Sequence, residues 1–148
     1  MIIHSETEMR EFGRSFAKQV VLPAVIELIG DVGAGKTTFT QGLAEGLGVT
    51  EPVTSPSFTL SKRYSFPLDK SVVNFTTPSG ELVHYDFYRL DDPGIMRDEL
   101  AETLSAPNTV TVIEWGGGVN DLLPKQHHRL TIKLTATGDR EVIDEILS

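Results

Sequence analysis

Apolar residues recur with two different periods along the chain, and the switches between them mark out its elements. From about Glu6 to Val20, Met9, Phe12, Phe16 and Val20 fall at helical spacing. Ser5 precedes them as an N-cap, with Glu8 three residues on completing a capping box. Ala24 to Ile29 is a short apolar run ending at a glycine, which predicts a buried central strand. Glu27 sits inside that run with no local explanation. Gly35 to Leu47 places Phe39, Leu43 and Leu47 four apart, an amphipathic helix closed by Gly48. Glu51 to Phe58, punctuated by Pro52 and Pro56, reads as an ordered loop, and Thr59 to Phe66 as a strand. Val72–Thr76 and Glu81–Tyr88 flank Pro78-Ser79-Gly80, which predicts a β-hairpin with a long tip. Asp92 and Pro93 read as N-cap and first helical residue of a helix lined by Met96, Leu100 and Leu104. Thr109 to Glu114 alternates as a strand, broken by Gly116-Gly117-Gly118. Arg129 to Thr135 is a further strand, and the pattern leaves Arg140 to Leu147 open between helix and strand.

Helices and strands mix without a break in composition. The expectation is one α/β domain over residues 1–148, a central mixed sheet flanked by helices with an added β-hairpin. Cysteine is absent, so thiolate zinc sites, iron–sulfur clusters and cysteine nucleophiles are excluded. The longest apolar run falls far short of the roughly 20 residues that span a bilayer. The N-terminal MIIHSETEMREFG lacks a basic region followed by an apolar one, so no signal peptide and no membrane association are expected. The default localisation is cytoplasmic. The net charge of −8 disfavours direct binding of RNA or DNA, whose phosphates call for a basic surplus. Between Glu81 and Asp121, nine acidic residues stand against two arginines, a net of −7. That stretch is either a solvated surface or a docking face for a basic partner.

Residues 30–37 read GDVGAGKT and satisfy G-x-x-x-x-G-K-[ST] in full, between an apolar strand and an amphipathic helix. This context makes the fold P-loop NTPase-like. Glycine lets the backbone turn tightly and approach a phosphate with no Cβ in the way. Backbone N–H groups and the helix N-terminus then cradle the anion. Candidate nucleotide contacts are Asp31, Gly33, Ala34, Gly35, Lys36, Thr37 and Thr38. Lys36 supplies a point charge to the phosphates, and the Thr37 hydroxyl is a candidate Mg²⁺ ligand.

A P-loop also needs an acidic partner at the end of a neighbouring strand. Glu114 ends TVTVIE, and Asp86 lies in HYDFYRL, where alternation puts His84, Asp86 and Tyr88 on one face. Lys36, Asp86 and Glu114 are therefore the catalytic candidates; Thr37 is a metal-ligand candidate, with Glu114 and Asp86 the two candidates for the acidic partner. Trp115, the only tryptophan, follows Glu114 and can stack on a base or anchor a partner. In the VTSPSF loop and just after it, Ser55, Ser57 and Thr59 offer hydroxyls for sensing a γ-phosphate.

Taken in order, GDVGAGKTTFTQGLAEGLG, VTSPSFTL, HYDFYRLDDP and VIEW closely resemble the TsaE (YjeE) family of bacterial tRNA threonylcarbamoyladenosine synthesis. The resemblance runs from the N-terminal helix to Trp115. It implies a weak Mg²⁺-dependent ATPase that joins the TsaB–TsaD pair and supports repeated turnover of threonylcarbamoyl transfer. It implies contact with tRNA only through that complex. Lys36 and Thr37 would handle phosphate and Mg²⁺, Glu114 the metal, and Asp86 an important functional role. Glu6 and Arg140 are assigned to nucleotide holding by the same resemblance. The chain departs from the family pattern at Ser57, where threonine is usual, and in the longer hairpin VVNFTTPSGEL. The helix after HYDFYRL is shorter than usual, and the segment after Trp115 is rich in glycine.

Two other readings fit parts of the pattern. A small P-loop kinase needs lid arginines for its second substrate, and the seven arginines here are not clustered. A nucleotide-gated interaction module would use ATP binding, rather than hydrolysis, to set partner affinity.

Overall fold

The computed structural model describes residues 1–56, 60–68, 79–88 and 94–147. In chain order the elements are β1 (Ile2–Ile3), α1 (Glu6–Ala17), β2 (Ala24–Ile29), α2 (Lys36–Leu47), β3 (Ser61–Pro67) and β4 (Ser79–Asp86). There follow α3 (Ile95–Ser105), β5 (Thr109–Glu114), a 3-10 helix (Gly116–Leu122), β6 (His127–Leu134) and β7 (Arg140–Leu147). The seven strands form one mixed sheet in the order β1-β7-β6-β2-β5-β4-β3. β6, β2, β5 and β4 run parallel at its centre, with antiparallel pairing at both edges. β2 and β5 are buried along nearly their whole length because both of their faces are covered. Among the described residues, no helix is long and apolar enough to cross a membrane.

Helices α1 and α2 cover one face. Met9, Phe16, Phe39 and Leu43 pack there on Ile26, Leu28, Leu82, Val112, Leu130 and Ile132. The rings of Phe12, Phe16 and Phe39 meet at centroid distances of 5.5–6.1 Å. α3 covers the other face over Val83, Tyr85, Phe87 and Ile113, with Leu100 buried and Met96 and Leu104 beside it. The Tyr85 hydroxyl meets Thr103 Oγ1 at 2.8 Å, and burial raises the phenol above its ordinary pKa.

Glycine lets α1 and α2 approach closely. A Cβ at Gly42 would lie 2.1 Å from the Arg10 carbonyl oxygen, and one at Gly13 2.4 Å from that of Phe39. Gly42→Ala gains about 1 kcal/mol of helix propensity. It meets an unyielding backbone atom, and overpacking costs about 1–3 kcal/mol. At 2.1 Å the cost lies at the upper end of that range, so the expected net is a loss of about 2 kcal/mol, measured as a lower urea midpoint. A neutral or stabilised variant would contradict this contact.

Several expectations change in detail. α1 ends at Ala17, and Lys18 to Val20 continue only as turns closed three residues back. Ser5 caps α1 by accepting from Glu8 N–H, while the Glu8 carboxylate receives His4 N–H at 2.7 Å rather than that of Ser5. The hairpin joins β3 to β4, and Ser79 and Gly80 belong to β4, opposite Pro67 and Phe66, instead of forming the tip. Val72–Thr76 and Pro78 lie outside the described residues. α3 begins at Ile95 after Gly94, while Asp92 and Pro93 lie outside the described residues. The C-terminal element is a strand, because β6 offers it eight consecutive partners.

Glu27 now has its explanation. Its Oε1 accepts from Arg129 Nε at 2.7 Å, and His127 Nε2 lies 3.7 Å away, so β6 neutralises a carboxylate buried on β2.

Candidate functional site

β2 ends at the centre of the sheet and the chain turns directly into α2, so residues 30–37 lie where the strand termini meet a helix N-terminus. Gly33 and Gly35 adopt φ of +83° and +110°, conformations that side chains disfavour. Gly30 is a close approach: a Cβ there would lie 2.5 Å from the Ile132 carbonyl oxygen. Arg140 fastens the turn from outside. Its guanidinium donates to the carbonyls of Ala34 (2.9 Å), Gly33 (3.2 Å) and Gly138 (2.7 Å). With the Gly33 and Ala34 carbonyls held by Arg140, the loop carries its peptide dipoles in a fixed orientation.

Lys36 is 6% exposed. Its Nζ donates to the Gly30 carbonyl at 2.5 Å, lies 3.7 Å from Glu114 Oε1, and sits 4.4 Å from the Trp115 ring centroid. Parallel pairing of β4 with β5 sets Asp86 beside Glu114, at the ends of both strands. Glu114 Oε2 contacts His84 Nε2 at 2.5 Å. Asp86 Oδ1 accepts from Tyr88 N–H at 3.0 Å. Trp115 adopts a left-handed backbone conformation, φ 58°, and its ring meets Tyr88 at 4.8 Å, 39% exposed at the rim.

These groups surround a cavity of about 580 Å³. It brings together Glu6, Gly33, Gly35, Lys36, Thr37, Thr38, Asp86, Glu114, Trp115 and Arg140 from the sequence-based candidates. Two candidates stand off it. Asp31 faces a second cleft beside β6, and its carbonyl accepts from Ala34 N–H. Ala34 is buried with its carbonyl on Arg140. Ser55 lines the cavity; Ser57 and Thr59 lie outside the described residues.

Of the N-terminal wall, the sequence-based candidates include only Glu6. Ile3, His4, Ser5 and Met9 line the cavity because the two-residue β1 pairs with β7 across the whole length of the chain. No local pattern signals that pairing. His4 Nδ1 lies 3.1 Å from Asp139, whose carboxyl is held below its usual range by that hydrogen bond. The contact draws the β6–β7 turn against the N-terminus.

The acidic stretch is not one face. Glu81 and Glu99 pair with Arg63, Asp121 pairs with Arg97, and Asp86 and Glu114 serve the cavity. Asp98 and Glu102 remain exposed on α3, and Asp91 and Asp92 lie outside the described residues.

Chemically, the cavity sets a lysine, loop N–H groups and a helix N-terminus against the neighbouring Asp86 and Glu114 carboxylates and a threonine hydroxyl. The first set suits phosphate. The second suits a hard cation such as Mg²⁺, which takes oxygen ligands and commonly one or two carboxylates plus phosphate oxygens. Among the described residues, no three His, Asp or Glu side chains form a ready-made metal cage.

Residues 3–142 match the family model for threonylcarbamoyl adenosine biosynthesis protein TsaE. The chain is 39% identical over 131 residues to the tRNA threonylcarbamoyladenosine biosynthesis protein TsaE of Streptomyces coelicolor, covering 88% of this chain and 82% of that protein. It is 37% identical over 119 residues to the protein of the same name from Treponema pallidum, covering 80% and 79%. The crystal structure of Bacillus subtilis YdiB superposes with a TM-score of 0.74 at 29% identity, covering 100% of this chain and 84% of that one. The chain belongs to the TsaE family of tRNA threonylcarbamoyladenosine biosynthesis proteins.

Proposed function

We propose that the cavity binds ATP with Mg²⁺, hydrolyses it slowly, and couples that hydrolysis to threonylcarbamoyladenosine synthesis together with TsaB–TsaD. The observation that carries this reading is the buried Lys36 ammonium, held between the Gly30 carbonyl and Glu114 at the N-terminus of α2. A lysine there has no core to fill. It can exchange the Gly30 carbonyl for phosphate oxygens without leaving the cavity.

The residues divide the work by charge. Lys36 and the loop N–H groups hold the β- and γ-phosphates. Thr37 and Glu114 would hold Mg²⁺, which supplies further positive charge to the phosphate oxygens. Asp86, next to Glu114 on the sheet, orients the attacking water. The water oxygen bonds to the γ-phosphorus and gives up a proton to a γ-phosphate oxygen, the bond to the ADP oxygen breaks, and ADP and hydrogen phosphate leave. Such catalysis is mostly positioning and charge neutralisation. Glu6 and Arg140, with the N-terminal wall, form the end of the cavity left for the nucleoside.

A partner is built into this reading. Arg140 is the arginine lining the cavity among the described residues, and its guanidinium is occupied by three carbonyls. A cation from TsaB–TsaD would complete the charge stabilisation, which supports slow hydrolysis by the chain alone. The net charge of −8 supports contact with tRNA only through the complex.

Asp86→Ala tests the division of labour. It should keep ATP·Mg²⁺ affinity within about threefold and lose partner-stimulated turnover by about 100-fold, because an effect confined to the transition state lowers the rate without lowering binding. Titration with labelled nucleotide and rates with and without TsaB–TsaD check both halves. A large loss of affinity would make Asp86 a ligand of the bound state.

A further inference from the structure

We propose that His84 is a positioning residue for Glu114. The proposal rests on the reading that Glu114 holds Mg²⁺ with the nucleotide. His84 lies on β4 two residues before Asp86, opposite Val112 of β5. It is fully buried and does not line the cavity. Its Nε2 contacts Glu114 Oε2 at 2.5 Å. The second oxygen, Oε1, is the one that lies 3.7 Å from Lys36 Nζ.

The ring's other nitrogen identifies the donor. Nδ1 is buried, with no hydrogen-bond partner among the described residues. A proton on Nδ1 would bury an unsatisfied N–H, whereas a bare lone pair there costs less. The ring proton therefore sits on Nε2 and is donated to Oε2. An apolar side chain would fill this strand position without stranding a polar atom. Imidazole brings one capability that an apolar chain lacks, a rigid donor aimed at one oxygen of Glu114.

That donor settles a competition. Without it the carboxylate can rotate, and Lys36 can draw both oxygens into an ion pair. Lysine and carboxylate would then neutralise each other instead of serving phosphate and cation. With Oε2 pinned, Oε1 keeps one heading toward the cavity. Groups that orient a metal ligand in this way are typically worth about 10–100-fold in metal affinity.

The test is ATP affinity by calorimetry in Mg²⁺ and in EDTA, on the purified full-length chain. The wild type defines the Mg²⁺-dependent gain. His84→Ala should reduce that gain about tenfold or more and leave the affinity in EDTA unchanged. His84→Gln, whose amide nitrogen can occupy the Nε2 position, should restore most of it. His84→Asn, whose amide reaches only the Nδ1 position, should not. The Gln–Asn pair keeps a polar side chain at the site, so the comparison survives if the alanine variant fails to fold. Glu114→Gln is the control for the parent reading. If it loses the gain while His84→Ala and His84→Asn keep it, the positioning role is overturned. If Glu114→Gln itself keeps the full gain, the metal role of Glu114 falls, and the proposal with it.

Discussion

Lys36→Ala is expected to cut ATP affinity and turnover by about 100-fold or more while the fold survives. Charge-assisted hydrogen bonds contribute about 1.5–3 kcal/mol each, and the ammonium can offer two to the phosphates, so the loss sums to about 3–6 kcal/mol. The effect on stability is smaller. Nζ lies 3.7 Å from Glu114, a loose pair at the wall of an open cavity, and Glu114 keeps its contact with His84. The Gly30 carbonyl and the Trp115 ring also lose their contacts with Nζ, each a cost of about 1 kcal/mol. A melting curve modestly below wild type alongside a collapsed titration is the expected pair of results. A variant that hydrolyses ATP at the normal rate would sink the phosphate assignment of the loop.

Glu114→Gln should have the second-largest effect, with a sign that depends on Mg²⁺. The amide keeps the shape of the carboxylate and can still accept from His84, but it removes one negative charge 3.7 Å from Lys36. In EDTA the nucleotide then meets less repulsion, so affinity should stay level or rise. In Mg²⁺ it loses a ligand, and the gain from the metal should fall about 10–100-fold. Initial rates measured across Mg²⁺ concentrations check this directly. An unchanged Mg²⁺ dependence would move the ligand role to Asp86, the neighbouring carboxylate on the sheet.

Local patterns carried most of the centre of the fold. The apolar run of β2, the glycine-rich turn and the four-residue spacing of α2 are consecutive in the chain, so the loop and its setting were legible. Alternation along HYD placed His84 and Asp86 on the face opposite Val83 and Tyr85, which line the α3 core. What stayed hidden depends on pairing between distant segments. Glu27 looked anomalous because its partner Arg129 lies 102 residues away. The wall from Ile3 to Met9 is set by a two-residue strand whose partner is the last strand. β7 mixes polar and apolar residues on both faces and has only the two-residue β1 outside it, so neither period dominated until β6 paired with it. The acidic stretch looked like a single face because charge was counted along the chain. In space, Arg63 and Arg97 take up three of those carboxylates.

The alternative readings make different demands on the cavity. A kinase would need cations to hold a second phosphorylated substrate, yet Arg140 is committed to the loop carbonyls. A pure binding module would use Asp86, beside Glu114 on the sheet, only as a ligand of the bound state, which is the outcome that Asp86→Ala separates from a role in turnover.

The most direct measurement is single-turnover release of phosphate from γ-labelled ATP by the purified chain, with Mg²⁺ or EDTA and with or without TsaB–TsaD. The account predicts slow release with Mg²⁺, acceleration of at least about tenfold when the pair is added, as expected where a partner's cation joins the charge stabilisation, and none in EDTA. No phosphate release by the chain with the pair and Mg²⁺ present, despite tight nucleotide binding, would contradict hydrolysis and leave a nucleotide-gated interaction module in its place.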